Sequence, residues 1–455
     1  MKNIIYILAI MVFGVLSACD NYLDITPKGQ VILEEVEEYN LMFNDDNLHS
    51  FWNDKLCYLT DERWPTADYL ITGDEYPIEK ANFLWDENYD RASFWELDAG
   101  YDKLYQRISR YNIIIKGVPD AEGDETRKKE VIAMAKILRA YNHFVLINVY
   151  AKHYQSSTAS SDRGVLLVKE FNMEQKLVQS TVQDAYDFIL RDINEALNDL
   201  PDVPENTFHP GKAFGYGFLA KVHLFMKNFP AALEAANTSL TYNDFVFDMV
   251  AYYNTGGGEV GYDMNEHNYF AGGMSPFIPN WAMLSPTAVE RYDVTSDVRI
   301  SYLFYNTWYG QPAYLNYAFK YNVAGMRVPE VLLIKAECMA RAGEVDGAMA
   351  VLNDFRVDRI LPANYAELTA TTSKEAVLHI IDERAREFAH TYNRLWDMKR
   401  LNTEPEYAKT YSKEFSFDGG QTYETFTVEP GSHVFIMPFS QEAMNRNSSL
   451  KQNTK

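Results

Sequence analysis

Apolar residues recur at helical spacing over three stretches of the chain, and polar residues interrupt them where turns are due. The first stretch runs from about Tyr101 to Tyr150 and is broken by the charged turn Asp120 to Asp124. In its second half Ile132, Ala135, Leu138, Tyr141, Val145 and Ile147 form one broad apolar face, which predicts an amphipathic helix. A further helix is predicted from Thr181 to Leu197, opened by Ser180 with Gln183 three residues on, a capping-box pattern. The other two stretches repeat each other. Leu219-Ala220-Lys221 up to Asn237 aligns with Lys335-Ala336-Glu337 up to Asn353 at a constant offset of 116 residues. Ala220 then matches Ala336, Ala232 matches Ala348, and Asn237 matches Asn353. Each copy reads as a small-residue helix, a short turn (Asn228-Phe229-Pro230 or Glu344-Val345-Asp346) and a second helix. Alanines 12 positions apart fit the tetratricopeptide arrangement, where small side chains let paired helices cross closely.

Between these helices the periodicity lapses. Residues 251–324 carry Gly256-Gly257-Gly258, Gly272-Gly273 and several prolines among many Tyr and Asn residues. Loops this long inside a compact domain usually serve function. From Glu404 to Val434, alternating Phe, Tyr and Thr predict a short hairpin. The expected fold is therefore mostly α: a tetratricopeptide-like helical-hairpin scaffold with long irregular loops and a few short β-hairpins.

At the N-terminus Lys2 precedes an apolar run from Ile4 to Val15. This run is shorter than the roughly 20 residues of a spanning helix, and its charged start and small-residue exit are those of a secretory leader. Leu16-Ser17-Ala18-Cys19 looks like a bacterial lipobox, which makes Cys19 the expected lipidation site. Several acyl chains on one cysteine give durable anchoring. The expected division is a signal peptide over 1–18, a lipidated linker over 19–30 and a single domain over 31–455. Within that domain the helical-repeat core spans about 101–240 and 328–401, and a loop-rich binding region spans about 45–95 and 251–324.

Charge narrows the function. With 42 basic against 64 acidic residues the net charge is −22, which argues against nucleic acid, whose phosphates are held by Lys and Arg. It argues equally against a peripheral role on anionic lipid. Beyond Cys19 only Cys57 and Cys338 remain; they are expected as buried thiols and form no zinc pattern. An acidic loop around Asp263 and Glu266 misses the EF-hand spacing, so no metal is expected. The sequence carries no nucleophile elbow, phosphate loop or HExxH pair; neither an enzyme nor a cofactor is expected.

Four ordered blocks carry a resemblance. Arg327-Val328-Pro329-Glu330-Val331-Leu332-Leu333 leads into Lys335-Ala336-Glu337, Gly343, Ala348, Leu352-Asn353 and Arg356. Ile381-Asp382-Glu383-Arg384-Ala385-Arg386-Glu387-Phe388 precedes Arg394-Leu395-Trp396-Asp397-Met398-Lys399-Arg400. The chain closes on Met437-Pro438-Phe439 and Leu450-Lys451-Gln452-Asn453, and near its start lies Cys19-Asp20-Asn21-Tyr22-Leu23-Asp24. Tyr105, Asn112 and Leu138-Arg139-Ala140-Tyr141 belong to the same pattern. Together these resemble the SusD/RagB family of outer-membrane nutrient-binding lipoproteins over the whole mature chain. One departure is His390-Thr391-Tyr392, where the family commonly has a Glu-Gly pair.

The resemblance implies a cell-surface, outer-membrane protein that captures an oligosaccharide and passes it to a SusC-like TonB-dependent transporter. A peptide-capturing RagB-like binder and a scaffold that only braces the transporter are the other readings. Glu383, Arg386 and Glu387 lie three and four apart, with Arg394, Asp397 and Arg400 beyond, and are expected as a charge network that holds helices in register. A sugar ring stacks its C–H face on Trp or Tyr, while its hydroxyls need planar polar partners. Three loop segments offer both: Asp61, Arg63 and Trp64 with Tyr69; Asn280 and Trp281 with Arg291 and Tyr292; and Asn306, Trp308 and Tyr309. Trp52, Trp85, Trp95 and Trp396 border regular elements and are expected in packing.

Overall fold

A computed structural model of the chain describes residues 33–51, 56–65, 77–172, 174–256, 265–272, 283–306, 312–314, 324–418 and 421–454. The leader, Cys19 and the linker therefore lie outside the described residues, as does Trp52.

Helix α1 (Ala99–Gly117) opens on Asp98, whose carboxylate accepts from the Tyr101 N–H. Helix α2 (Glu125–Tyr150) opens on Asp124, which accepts from Thr126 and Arg127. Both use the side-chain acceptor that satisfies an otherwise unpaired N–H. The expected break at Asp120 to Asp124 is present as a single 3₁₀ turn, Val118–Asp120, and the Asp124 cap. From Ile137 to Tyr150 helix α2 is buried on every side, beyond the one face its periodicity suggested. Phe144 shows why: its ring lies 5.0–6.3 Å from those of Tyr186, Phe218, Phe225 and Trp396, which come from three other helices.

Helix α3 (Val182–Ala196) begins one residue later than the sequence suggested, capped by Thr181 and Asp184. Ser180 is unavailable as a cap because its hydroxyl accepts from the Val165 N–H at 3.3 Å, across the ladder that pairs Gln179–Thr181 with Arg163–Leu166.

The internal repeat is structural. Helices α4 (Lys212–Phe225) and α5 (Phe229–Tyr242) form one hairpin; α6 (Val328–Arg341) and α7 (Val345–Val357) form the other. Three of the four helices' bounds keep the 116-residue offset and the last ends one residue short of it. Ala220, Ala232, Ala336 and Ala348 are all fully buried at the crossings. Gly217 marks the closest approach of α4 to the second hairpin: a Cβ there would stand 2.7 Å from Met326 Sδ and 3.1 Å from Val331 Cγ2. The third matched pair diverges. Asn353 is buried and bonds both backbone groups of Leu368, whereas Asn237 is exposed.

Helices α8 (Ser373–Glu387) and α9 (Tyr392–Leu401) pack beside the second hairpin and carry the expected charge network. Arg299 bonds Asp297, Glu383 and Glu387; Arg359 bonds Glu387 and Glu266. Arg384 and Arg400 share Asp397, and Arg400 reaches Glu337. Burial pushes the Glu383 and Glu337 carboxyls up, but the arginines prevail and hold each at about 2. Glu266, from the acidic loop, is committed to Arg327, Arg359 and the Phe247 N–H. The predicted hairpin is present, Tyr411–Phe415 pairing antiparallel with Glu424–Val428. Trp85, Trp95 and Trp396 are buried, as are the Cys57 and Cys338 thiols, which no disulfide joins. Among the described residues no helix is long and apolar enough to cross a membrane.

Candidate functional site

Four short strands gather the candidate segments into one antiparallel sheet. They are β1 (Arg63–Trp64), β2 (Met283–Leu284), β3 (Phe304–Asn306) and β4 (Pro312–Tyr314), in the spatial order β1-β2-β4-β3. Trp64 pairs with Met283, Met283 with Ala313, Ala313 with Tyr305, and Asn306 with Pro312. Segments more than 200 residues apart in sequence thus become neighbours across a strand spacing of about 4.8 Å. Asn280 and Trp281 immediately precede β2, and Trp308 and Tyr309 belong to the connection between β3 and β4. These four, and Tyr69, lie outside the described residues; Asn306 takes part through its backbone register.

The polar residues grouped with these aromatics face the protein. Asp61 is buried and receives both Arg291 and Arg394; Glu62, beside it, receives Arg291 at 3.1 Å and the His390 N–H at 3.0 Å. Arg63 is buried with its guanidinium over the Tyr58 ring and 3.3 Å from the Tyr58 hydroxyl. Tyr292 is buried too, donating to the Arg386 carbonyl at 2.7 Å. Opposite charges in a dry interior find each other rather than solvent, so Asp61, Arg291 and Tyr292 fasten the sheet to helices α8 and α9, while Arg63 ties it to Tyr58. Two backbone links reinforce the joint: Ser285 N–H donates to the Glu62 carbonyl, and the Ser285 hydroxyl to that of Asp61.

The two adjacent carboxyls behave oppositely. Burial pushes Asp61 up, but Arg291 and Arg394 overcome it and hold the group well below the usual carboxylate range. Burial raises Glu62 to about 7, because the same arginines favour it less and the Asp61 charge opposes it.

Trp64 is half-buried. Its indole meets Phe415 (5.1 Å, 62°) and Phe83 (6.5 Å, 86°) edge-on. Under Phe83 the Lys413 ammonium sits 4.3 Å from that ring and 3.7 Å from the ring of Trp85, and donates to the Thr60 carbonyl at 3.2 Å. Trp85 Nε1 donates to the Leu59 carbonyl at 2.8 Å. Trp64 is thereby backed by a rigid aromatic bed, which suits an indole that must offer a flat surface. Sequence reasoning missed Phe83, Phe415 and Lys413, which come from distant elements and carry no local signal; Glu62 lies inside the segment from Asp61 to Trp64 that the sequence singles out. Among the described residues no group of three His, Cys, Asp or Glu side chains could hold a metal ion.

Comparison with known proteins bears on the same architecture. Residues 66–224 match a family described as starch-binding associating with outer membrane, and residues 309–455 match the SusD family. SusD-like protein P38 of Formosa agariphila is 24% identical, covering 88% of this chain and 92% of its own. A SusD superfamily protein of Bacteroides thetaiotaomicron has the same fold, with a TM-score of 0.69 at 16% identity over 92% of this chain and 100% of its own. A laminarin-binding SusD-like protein superposes with a TM-score of 0.62 at 17% identity, covering 93% and 99%. With both halves of the sequence matched by sister models and the helical-hairpin fold shared throughout, the chain belongs to the SusD/RagB family.

Proposed function

We propose that this protein is a surface-exposed outer-membrane lipoprotein, anchored through Cys19, that captures an oligosaccharide and passes it to a SusC-like TonB-dependent transporter. The observation that carries the reading is the sheet register, in which Trp64 pairs with Met283 and Met283 with Ala313. That register sets β1, which carries Trp64, beside β2 and β4, the strands that follow Trp281 and Trp308 in sequence. In this reading the three indoles, with Tyr69 and Tyr309, supply stacking faces, and Asn280 and Asn306 supply polar contacts to hydroxyls. Asp61, Arg63, Arg291 and Tyr292 act from beneath, by fixing the strands. The family's description as starch-binding and the laminarin-binding relative support a glycan as the ligand class.

The test is calorimetry of the purified protein against a panel of neutral oligosaccharides, laminarin included, and of peptides. Trp64→Ala, Trp281→Ala and Trp308→Ala run alongside. Saturable binding to one glycan class, lost in at least one folded variant, is the expected result. Binding to peptides alone would move the protein to a RagB-like role. Silence in both panels, together with variants that fail to co-purify with the transporter, would favour a bracing role and overturn capture.

A further inference from the structure

A second region, sharing no residue with the sheet, holds two cations for which the described residues supply no carboxylate partner. Helix α1 borders a cavity of about 220 Å³, lined among others by Ser50, Trp95, Asp98, Lys103, Arg107 and Tyr392. Arg107 is only 3% exposed. Its Nε donates to the Asn47 carbonyl at 3.1 Å, its Nη2 donates to the Ser50 carbonyl, and Nη1 has no acceptor among the described residues. The guanidinium carbon lies over Phe51, 4.0 Å from the ring centre. Lys103 stands one turn earlier on the same helix, exposed and lining the same cavity, and it forms no ion pair.

Buried cations in this chain follow two patterns, and Lys399 and Lys413, like Arg107, donate to carbonyls and not to a carboxylate. Arg139, Arg299, Arg359, Arg384 and Arg400, all buried, each bond a carboxylate. Arg91, which also lacks one, spends both terminal nitrogens on four oxygen acceptors. A buried cation without a counter-charge costs several kcal/mol, and a net charge of −22 leaves no shortage of carboxylates that could have been placed there. Asp98 lines the cavity as well, but its two oxygens are occupied: Oδ1 by the Tyr101 N–H at 3.1 Å and Oδ2 by the Tyr150 hydroxyl at 2.6 Å. Ala99 and Gly100, the first two residues of α1, also border the space, so the positive end of the helix adds to the same field.

We infer that this cavity binds the carboxylate of a single acidic sugar residue, held by Arg107 and Lys103. A planar guanidinium with a free nitrogen suits a carboxylate oxygen, and an ammonium suits the other. The volume falls below the roughly 300–1,000 Å³ of a drug-sized site, which fits one ring rather than a chain. The acidic surface repels uronate polymers over most of its area, so this local exception would select for them at one point.

The experiment titrates the full-length protein with D-galacturonate, D-galactose and inorganic sulfate, by calorimetry at low and high NaCl. Galacturonate is expected to saturate, to weaken as salt rises, and to leave galactose silent. Lys103→Ala should weaken it several-fold and Arg107→Met by tenfold or more. Should Arg107→Met not fold, Arg107→Lys and the exposed Lys103→Ala decide. Equal binding of galactose and galacturonate, sulfate binding as tightly as galacturonate, or parental affinity in both cation variants would each overturn the proposal. None of these outcomes touches the neutral-glycan reading, which is measured separately through Trp64→Ala.

Discussion

Arg394 and Asp61 stand 333 positions apart in the chain yet form a two-point pair, Nε to Oδ1 at 2.8 Å and Nη2 to Oδ2 at 2.6 Å. This pair joins helix α9 to the segment that becomes β1. Replacing Asp61 with Ala leaves Arg394 buried without its two-point acceptor and Arg291 with Glu62 as its remaining carboxylate. The expected loss is about 3–5 kcal/mol, the usual cost of breaking a buried pair from one side. Urea unfolding of Asp61→Ala against the parent checks it, and a change within about 0.5 kcal/mol would mean that the joint is carried elsewhere.

Stability should fall with acid in a definite window. Glu383 and Glu337 are held at about 2 in the folded protein, against roughly 4.3 in an unfolded chain. Depressed carboxyl values give stability that is fully present above the unfolded value and lost as pH falls through the folded one. The unfolding midpoint in urea is therefore expected to hold from pH 7 to about 5 and to drop steeply towards pH 2. A flat profile across that range would contradict the network's role.

Lys399 gives the opposite kind of signal. It is buried with its ammonium donating to the Asn148 and Ala151 carbonyls at the end of α2, at 2.5 and 2.9 Å, and burial lowers it to about 7. An unfolded lysine titrates near 10.4. Between the two values the unfolded chain keeps a proton that the folded chain releases, so this group makes stability rise with pH from about 7 to 10. Lys399→Met should remove that rise and, by orphaning two buried carbonyls, cost about 1–3 kcal/mol. Paired denaturation curves at pH 7 and 10 decide both points.

The two repeats align Asn237 with Asn353, but their replacement should not be equivalent. Asn353→Ala removes a side chain that bonds Leu368 N–H and carbonyl at 3.0 and 2.9 Å and accepts from Arg356 at 3.1 Å, and about 1–3 kcal/mol should go with it. Asn237→Ala, on an exposed helix face, should stay within about 0.5 kcal/mol. Similar losses at both would show that the repeat matters at these sites beyond its local contacts.

What the sequence discloses follows from range. Helix bounds, the 116-residue offset and the 411–428 hairpin rest on neighbours within a few turns, and periodicity reports those directly. The cap lies one residue beyond Ser180, at Thr181, because the Ser180 hydroxyl is taken by the Val165 N–H of a strand that local periodicity does not report. Strands of two and three residues, such as β1 and β2, carry no usable alternation, so the sheet that unites Trp64 with the 280s and 300s was invisible. The same distance blindness assigned Asp61 and Arg291 to a ligand's hydroxyls: both are charged loop residues beside aromatics, and nothing local says that they face each other and Arg394. Lys103 and Arg107 escaped notice for the reverse reason, as ordinary cations on an amphipathic helix whose lack of a carboxylate partner among the described residues only the tertiary structure reveals.

Helices α5 and α6 touch, although the stretch from Asn243 to Arg327 intervenes between them. The excursion therefore leaves and re-enters the frame at points already held together, and lengthening it by a factor of two adds only about 0.6 kcal/mol of closure entropy. Such a splice point can accept foreign sequence at little thermodynamic expense, provided that the arriving segment keeps Glu266, Ser285, Arg291 and Arg299, which bond Arg359, the Asp61 carbonyl, the Asp61 carboxylate and Glu383 in turn. Grafting another protein's loops here is thus an engineering route to new ligand specificities, with four anchoring residues as its specification.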